Sequence, residues 1–443
     1  MSSDSTNTRG FGFVLRALHH RNYRIFFLGQ TTSLVGTWMQ QVAQGWLVYR
    51  LTNSSFWLGV VGFVSQIPTF LFAPIAGVTA DRFSRRKILM ATQSLGMLQA
   101  LILATLVLVG IVHVWHILVL GFSLGLVYAF DIPARQAFLV EIIDRQEDLG
   151  NAIALNSSMF HSARLIGPAL AGLLIATSGE GICFLINGLS YIAVIAALLA
   201  LRIHPMKRDG STATPILLGI KEGFSYAFGF APVRSILLLL SLLSLMGMSY
   251  AVLMPVFAKK ILHGNSQTLG FLVGASGMGS LVGAIFLASR ENVRGLGKII
   301  VMATCLFSIG LVAFSLSRVL WVSLLLMFLT GLGMMVQMAS CNTVLQTLVD
   351  DDKRGRVMSL YTMAIMGMLP FGSLITGGLA GKIGAPTTLL IGGLCCIAGS
   401  LVFALHLPAW REMVRPIYRK KGIVPEVATG MAQAAGLTLP PED

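Results

Sequence analysis

The sequence predicts an all-α membrane protein: twelve transmembrane helices in two pseudo-symmetric six-helix bundles, with both termini in the cytoplasm. Three observations carry this. Of the 443 residues, 55% are hydrophobic and only 11% charged, against about a quarter charged in soluble domains. Apolar runs of about 20 residues recur along the chain, each long enough to cross a ~30 Å hydrocarbon core at about 1.5 Å per residue. Of the 32 Lys and Arg residues, only Arg50, Lys259, Lys260, Arg318 and Lys382 fall in one set of alternate loops, and Arg164 lies within a helix. The rest mark the opposite side, which the positive-inside bias makes cytoplasmic.

The formal charge of +14 therefore reflects orientation in a lipid bilayer, and no nucleic-acid partner is expected. The five cysteines lie inside apolar runs without paired spacing, so neither a disulfide framework nor a metal site is indicated. The opening residues are polar and basic, without a short apolar core and cleavage site, so the first helix itself is expected to direct insertion. No phosphate loop, HExxH pair or nucleophile elbow occurs, and neither an enzyme nor a cofactor is expected.

The expected layout is a cytoplasmic segment 1–22, a first bundle 23–203, a cytoplasmic linker 204–232, a second bundle 233–406 and a cytoplasmic tail 407–443. Helices are predicted over 23–50, 55–80, 86–112, 115–140, 150–177 and 181–202. The second set covers 233–260, 267–289, 297–316, 319–347, 355–382 and 385–406. The first helix carries a polar stripe: Gln30, Ser33, Thr37, Gln41 and Gln44 fall within one narrow sector at 3-4 spacing. So many uncharged polar groups on one side of a membrane helix predict a polar cavity beside it, with Trp38 and Trp46 as nearby stacking surface.

Between the second and third helices stands "GVTADRFSRRK". Gly77 would allow close approach to a neighbour, Asp81 could cap the positive end of a helix, and Arg82, Arg85 and Arg86 could pair with a carboxylate. The stretch resembles the signature that the major facilitator superfamily carries at this place. That resemblance implies a cytoplasmic latch holding the two halves together in the outward-open state. The alternative is an ordinary positive-inside turn, which would explain the arginines alone.

In the fourth helix, "YAFDIPARQAF" places Asp131, Tyr128 and Arg135 on one face, and a carboxylate inside a membrane needs a partner. The family resemblance implies a pairing of Asp131 with Arg85; pairing with Arg135, one turn on, is the local alternative. Pro133 is expected to bend or end this helix.

The fifth helix carries "HSARLIGPALAGLL". Gly167, Pro168 and Gly172 resemble the motif of the antiporter branch, with Ala171 where a glycine pair is usual. The same pattern would also make a plain packing face, expected here against Gly270, Gly274 and Gly279. Arg164 lies mid-helix, at a cost of about 3 kcal/mol on insertion scales, and shares a face with Ser157, His161 and Pro168. It either binds an anionic group of the substrate or couples to a proton carrier, or it is satisfied by backbone carbonyls and Gln side chains. His161 reads as a packed, hydrogen-bonded histidine ahead of a proton carrier.

After the linker "RIHPMKRDGSTATP", the stretch "ILLGIKEGFSYAFGFAPVR" could form a short surface helix. The second half then repeats the first: Arg24 and Arg234, "WLGVVGF" and "TLGFLVG", "VEIID" and "QTLVD" stand about 206–211 residues apart. Such repeats are how secondary transporters build alternating access. The tenth helix offers Gln337, Met338, Cys341 and Gln346. Met334 and Met335, with Met363 and Met366 of the eleventh, would make an adaptable wall or simply fill the core.

The resemblance spans nearly the whole chain. In "FLGQTTSLVGTWMQQVAQGWLVYRLT", "FDIPARQAFLVEI" and "RGRVMSLYTM" it points to a bacterial exporter branch that includes macrolide-efflux and enterobactin-exporter relatives. It implies a monomeric exporter in the bacterial cytoplasmic membrane, moving an amphipathic small molecule by alternating access against protons. A siderophore exporter, a lysophospholipid flippase and a non-transporting scaffold are the alternatives. Proton-coupled members often carry an Arg five residues before a helix-four Gly; here Gly125 is present and position 120 is Leu.

Overall fold

A computed structural model describes residues 16–143, 145–202, 224–290 and 295–420, and every regular element among them is helical. A short 3₁₀ turn, Arg16–His19, leads into α1 (Arg21–Thr52), α2 (Ser55–Arg82), α3 (Arg85–Leu108), α4 (Val114–Glu141), α5 (Gln146–Ser178) and α6 (Glu180–Ala200). The second set is α7 (Ala231–Ile261), α8 (Ser266–Ala288), α9 (Leu296–Leu316), α10 (Leu320–Leu348), α11 and α12 (Ala385–Lys420). α11 is made of Asp351–Thr362, a π turn Met363–Gly367 and Leu369–Ile383. Eleven of the described helices are long and apolar enough to cross a membrane. The one that falls short is α1, because its polar stripe dilutes its apolar residues.

The chain divides into two compact units. One comprises 1–51 with 64–210, and the other comprises 52–63 with 211–443. The outer end of α2 thus clusters with the second unit, where a Cβ on Gly59 would lie 2.6 Å from Ser373 O and 2.8 Å from Gly377 Cα. Within the first unit α3 packs on α4 and α6, and within the second α10 packs on α8 and α9. The α8–α10 crossing is set by small residues: Gly279 lies on the backbone of Phe328, and Gly331 lies on the backbone of Ser276. Without a hydrophobic force between helices in lipid, such close backbone contact supplies the packing.

Two details depart from the sequence expectation. Pro133 does not end α4, which continues to Glu141; fully buried Ala134 and Phe138 hold the next turns in place. α12 runs past 406 to Lys420 through Pro408 and Pro416. Its extension is anchored by buried Trp410 and Val414, with Trp410 Nε1 donating to Pro232 O at 3.3 Å. Of the predicted linker 204–232, residues 204–223 lie outside the described residues; 224–229 are helical, and there Phe224 and Phe228 stack at 5.4 Å.

α7 and α11 are not regular. α7 contains π turns at Leu243–Gly247 and Phe257–Ile261, with a 3₁₀ stretch Met248–Leu253 between them. The first π turn meets the π turn of α11: Ser244 Oγ donates to Ile365 O in a buried contact. A π turn leaves backbone groups off the regular ladder, and here a side chain of one such turn satisfies a carbonyl of the other.

Candidate functional site in the first unit

The polar interior of the first unit is built by α1, α3, α4 and α6. Gln40 donates through Nε2 to Gln99 Oε1 at 3.0 Å and accepts from Asn187 Nδ2 at 2.7 Å. Ser190 Oγ donates to Asn187 O at 2.8 Å. Gly36 makes room for this cluster, since a Cβ there would lie 2.6 Å from Asn187 Oδ1. All four side chains are buried, where an unmade hydrogen bond would be costly. They clasp α1, α3 and α6 together. None belongs to the polar stripe predicted on α1; Thr92, Gln93, Gly96 and Gln99, at helical spacing on α3, were the signal for a second polar face.

A second cluster surrounds Asp131. Its carboxylate accepts from Thr92 Oγ1 at 2.9 Å and Gln93 Nε2 at 2.7 Å, and it forms an ion pair with Arg135. The local alternative therefore holds and the pairing with Arg85 does not. Arg85 instead pairs with Glu141, Nη1 to Oε1 at 2.8 Å, and donates to Ala137 O at 3.2 Å. Arg86 donates to Leu199 O, at the C-terminal end of α6, where exposed carbonyls attract a cation. The basic run thus ties the start of α3 to the ends of α4 and α6. Arg82 is exposed, and the Asp81 side chain lies outside the described residues. Gly77 is not at a close approach among the described residues: a Cβ there would meet none of their atoms within 4 Å.

The α1 stripe divides by depth. Gln30 and Ser33 are buried, Thr37 and Gln44 are half-buried, and Gln41 is exposed. The stripe lies on roughly the opposite side of α1 from exposed Leu28 and Thr32, so it turns away from the face that would meet lipid.

On α5, Gly167 packs on α1, where a Cβ would stand 2.7 Å from Trp38 Cβ and 2.8 Å from Val35 O. In the second unit, Gly279 of α8 lies in the same way on the backbone of Phe328 in α10. The second unit repeats the arrangement: Gly372 of α11 lies on Leu245 O and Ser249 Oγ of α7. Pro168, Ala171 and Gly172 are buried.

Arg164 is half-buried and makes neither a hydrogen bond nor an ion pair among the described residues; its guanidinium carbon lies 5.6 Å from the centre of the Trp38 ring. The carbonyl- and Gln-satisfied reading does not hold. Trp38 in turn meets Phe160 edge-on at 5.5 Å, and Phe160 meets His161 at 5.7 Å. His161 is buried, but the hydrogen bond expected of it is not seen at Nδ1, which has no partner among the described residues.

In the second unit, Gln337 is fully buried, donates to Cys341 Sγ at 3.3 Å and leaves Oε1 without a partner. Tyr361 of α11 donates to Met338 O at 3.3 Å. Gln346 is exposed and donates to Asn342 Oδ1. The methionines separate: Met334 is buried, whereas Met363 and Met366 are exposed.

Two ion-paired clusters carried no sequence signal. Arg50 holds Glu180 through Nε at 2.8 Å and Nη2 at 3.3 Å, joining the outer ends of α1 and α6. At the other end, buried Asp148 pairs with Arg16 and with His20 Nε2 at 2.8 Å. Both depend on residues more than 120 positions apart meeting in the fold.

Comparison with known proteins places this architecture. The chain is 28% identical over 389 residues to the staphyloferrin A transporter of Staphylococcus aureus, covering 86% of this chain and 95% of the relative. It is 26% identical over 391 residues to the multidrug efflux pump Tap of Mycolicibacterium fortuitum, covering 86% and 94%. The solved structure of a POT family transporter in complex with 5-aminolevulinic acid superposes with a TM-score of 0.71 at 10% identity, covering 88% of this chain and 96% of that one. That likeness establishes the fold. The sequence pattern of the family described as transmembrane secretion effector matches residues 14–439, and the chain belongs to that branch of the major facilitator superfamily.

Proposed function

We propose that the protein exports an amphipathic small molecule across the bacterial cytoplasmic membrane by alternating access, driven by proton antiport. The observation that carries this reading is the graded polar stripe of α1, buried at Gln30 and Ser33 and exposed at Gln41, on the side away from Leu28. A membrane helix has no reason to keep five uncharged polar groups in one sector unless that sector meets water or a polar solute. Exposed Met363 and Met366 offer polarizable surface to an apolar portion of the cargo. The efflux pump among the relatives supports the outward direction.

A siderophore is the second candidate cargo. It is favoured by the staphyloferrin A transporter among the relatives and by a central arginine without an acidic partner. The cytoplasmic latch remains part of the proposal, with Asp81 at its centre. The test of cargo is a comparison of a deletion strain with its parent for extracellular metabolites and drug susceptibility. A compound that accumulates inside the deletion strain and falls outside it identifies the cargo. Identical profiles and susceptibilities would refute an export role.

A further inference from the structure

We propose that Arg164, with Trp38 and His161, forms a binding subsite for a carboxylate or similarly planar oxyanion carried on an aromatic or apolar body. The proposal deepens the export reading, on which it rests, by naming the chemical class of cargo that the first unit recognises.

Depth comes first. Arg164 stands about 27 Å along α5 from Gln146 and about 21 Å from Ser178 at about 1.5 Å per residue, near the middle of the membrane. A cation held there is retained with a partner or beside water, yet no protein carboxylate, carbonyl or amide among the described residues meets this one. Trp38 supplies only the face of a ring, at 5.6 Å. Attraction to an aromatic face spends none of the guanidinium N–H donors, which lie in the plane of the fork. The donors that fit a carboxylate bidentately are therefore unspent.

On the face of α5 that bears Arg164, Ser157 two turns towards the cytoplasm is exposed, whereas one to two turns beyond Arg164 the side chains of Pro168 and Ala171 are buried. Arg164 is thus the last polar group reached along that face. Its flank is aromatic, with Phe160 exposed by 42% and edge-on to Trp38. His161 adds the buried, unpartnered Nδ1 one turn away. A planar cation, an exposed ring and an unused polar nitrogen within one turn match an aromatic acid better than a neutral or cationic solute. A phospholipid phosphate sits at headgroup depth, far from mid-helix, and is tetrahedral; a planar carboxylate suits both the depth and the fork.

The test uses the purified full chain in lipid nanodiscs. Binding of salicylate, anthranilate and 1-naphthoate is measured by calorimetry, each against its primary amide, at pH 7.5. At least one acid is expected to bind tenfold or more tightly than its amide. Arg164→Gln is expected to erase that preference, and Arg164→Lys, which keeps the charge but loses the fork, to retain only part of it. Failure of every acid to outbind its amide on the unaltered protein would overturn the proposal, with no variant needed to fold. Survival of the preference in Arg164→Gln would overturn it equally. A merely structural arginine would change the unfolding temperature without changing the acid-to-amide ratio. Profiling of the deletion strain makes no reference to charge, so failure of the subsite is separable from failure of the export reading.

Discussion

Gly77 and Gly167 look alike in the sequence and differ in the molecule. Among the described residues, a Cβ on Gly77 would meet nothing within 4 Å, whereas one on Gly167 would press on Trp38 and the backbone of Val35. Gly167→Ala is expected to destabilise the protein by about 1–3 kcal/mol through overpacking, and Gly77→Ala to be neutral or to stabilise by up to about 1 kcal/mol; thermal unfolding in detergent reads both. Asp131→Asn removes the carboxylate facing Arg135 while keeping an oxygen for Thr92. It is expected to lower stability by about 1–3 kcal/mol, partly restored by adding Arg135→Gln. Residue identity alone could not separate these cases. The need of Asp131 for a partner was legible, because a membrane carboxylate must have one. Which arginine served was decided by the adjacent turn of α4, one helical step away.

Helix boundaries were the most legible feature, since apolar length and bilayer thickness both constrain them. What eluded the sequence was local: the π turns of α7 and α11, which have no compositional signature, and the extension of α12, which depends on Trp410 meeting Pro232. At this scale the π-to-π contact is a testable joint. Ser244→Ala leaves the buried Ile365 carbonyl without its donor and is expected to cost about 1 kcal/mol. The basic turn before α3 makes a second prediction. Reversing Arg85→Glu alone should depress folded yield by setting two carboxylates together, and Arg85→Glu with Glu141→Arg should recover it, as fluorescence-detected size-exclusion chromatography would show. The latch is expected to act through Asp81: Asp81→Asn should weaken the outward-open state, read as altered cysteine accessibility on both faces, and unchanged accessibility would remove the latch.

The whole molecule belongs to the transmembrane secretion effector family. Composition and charge asymmetry made a membrane protein legible and the half-chain repeat its two halves, but the family was legible only through the motifs that resemble it. The polar interior was only half legible. The α1 stripe is a contiguous helical pattern, but the Gln40–Gln99–Asn187 clasp is assembled from three separate helices. Cargo identity is least legible, because a few side chains on a shared scaffold set it. The central claim is uphill export coupled to protons. Its most direct test supplies the cargo identified by profiling outside inverted membrane vesicles and imposes a proton gradient, acid inside. Accumulation is predicted to build against the concentration gradient and to collapse when nigericin dissipates the pH difference. Accumulation that persists after the collapse, or never exceeds that of vesicles lacking the protein, would contradict it.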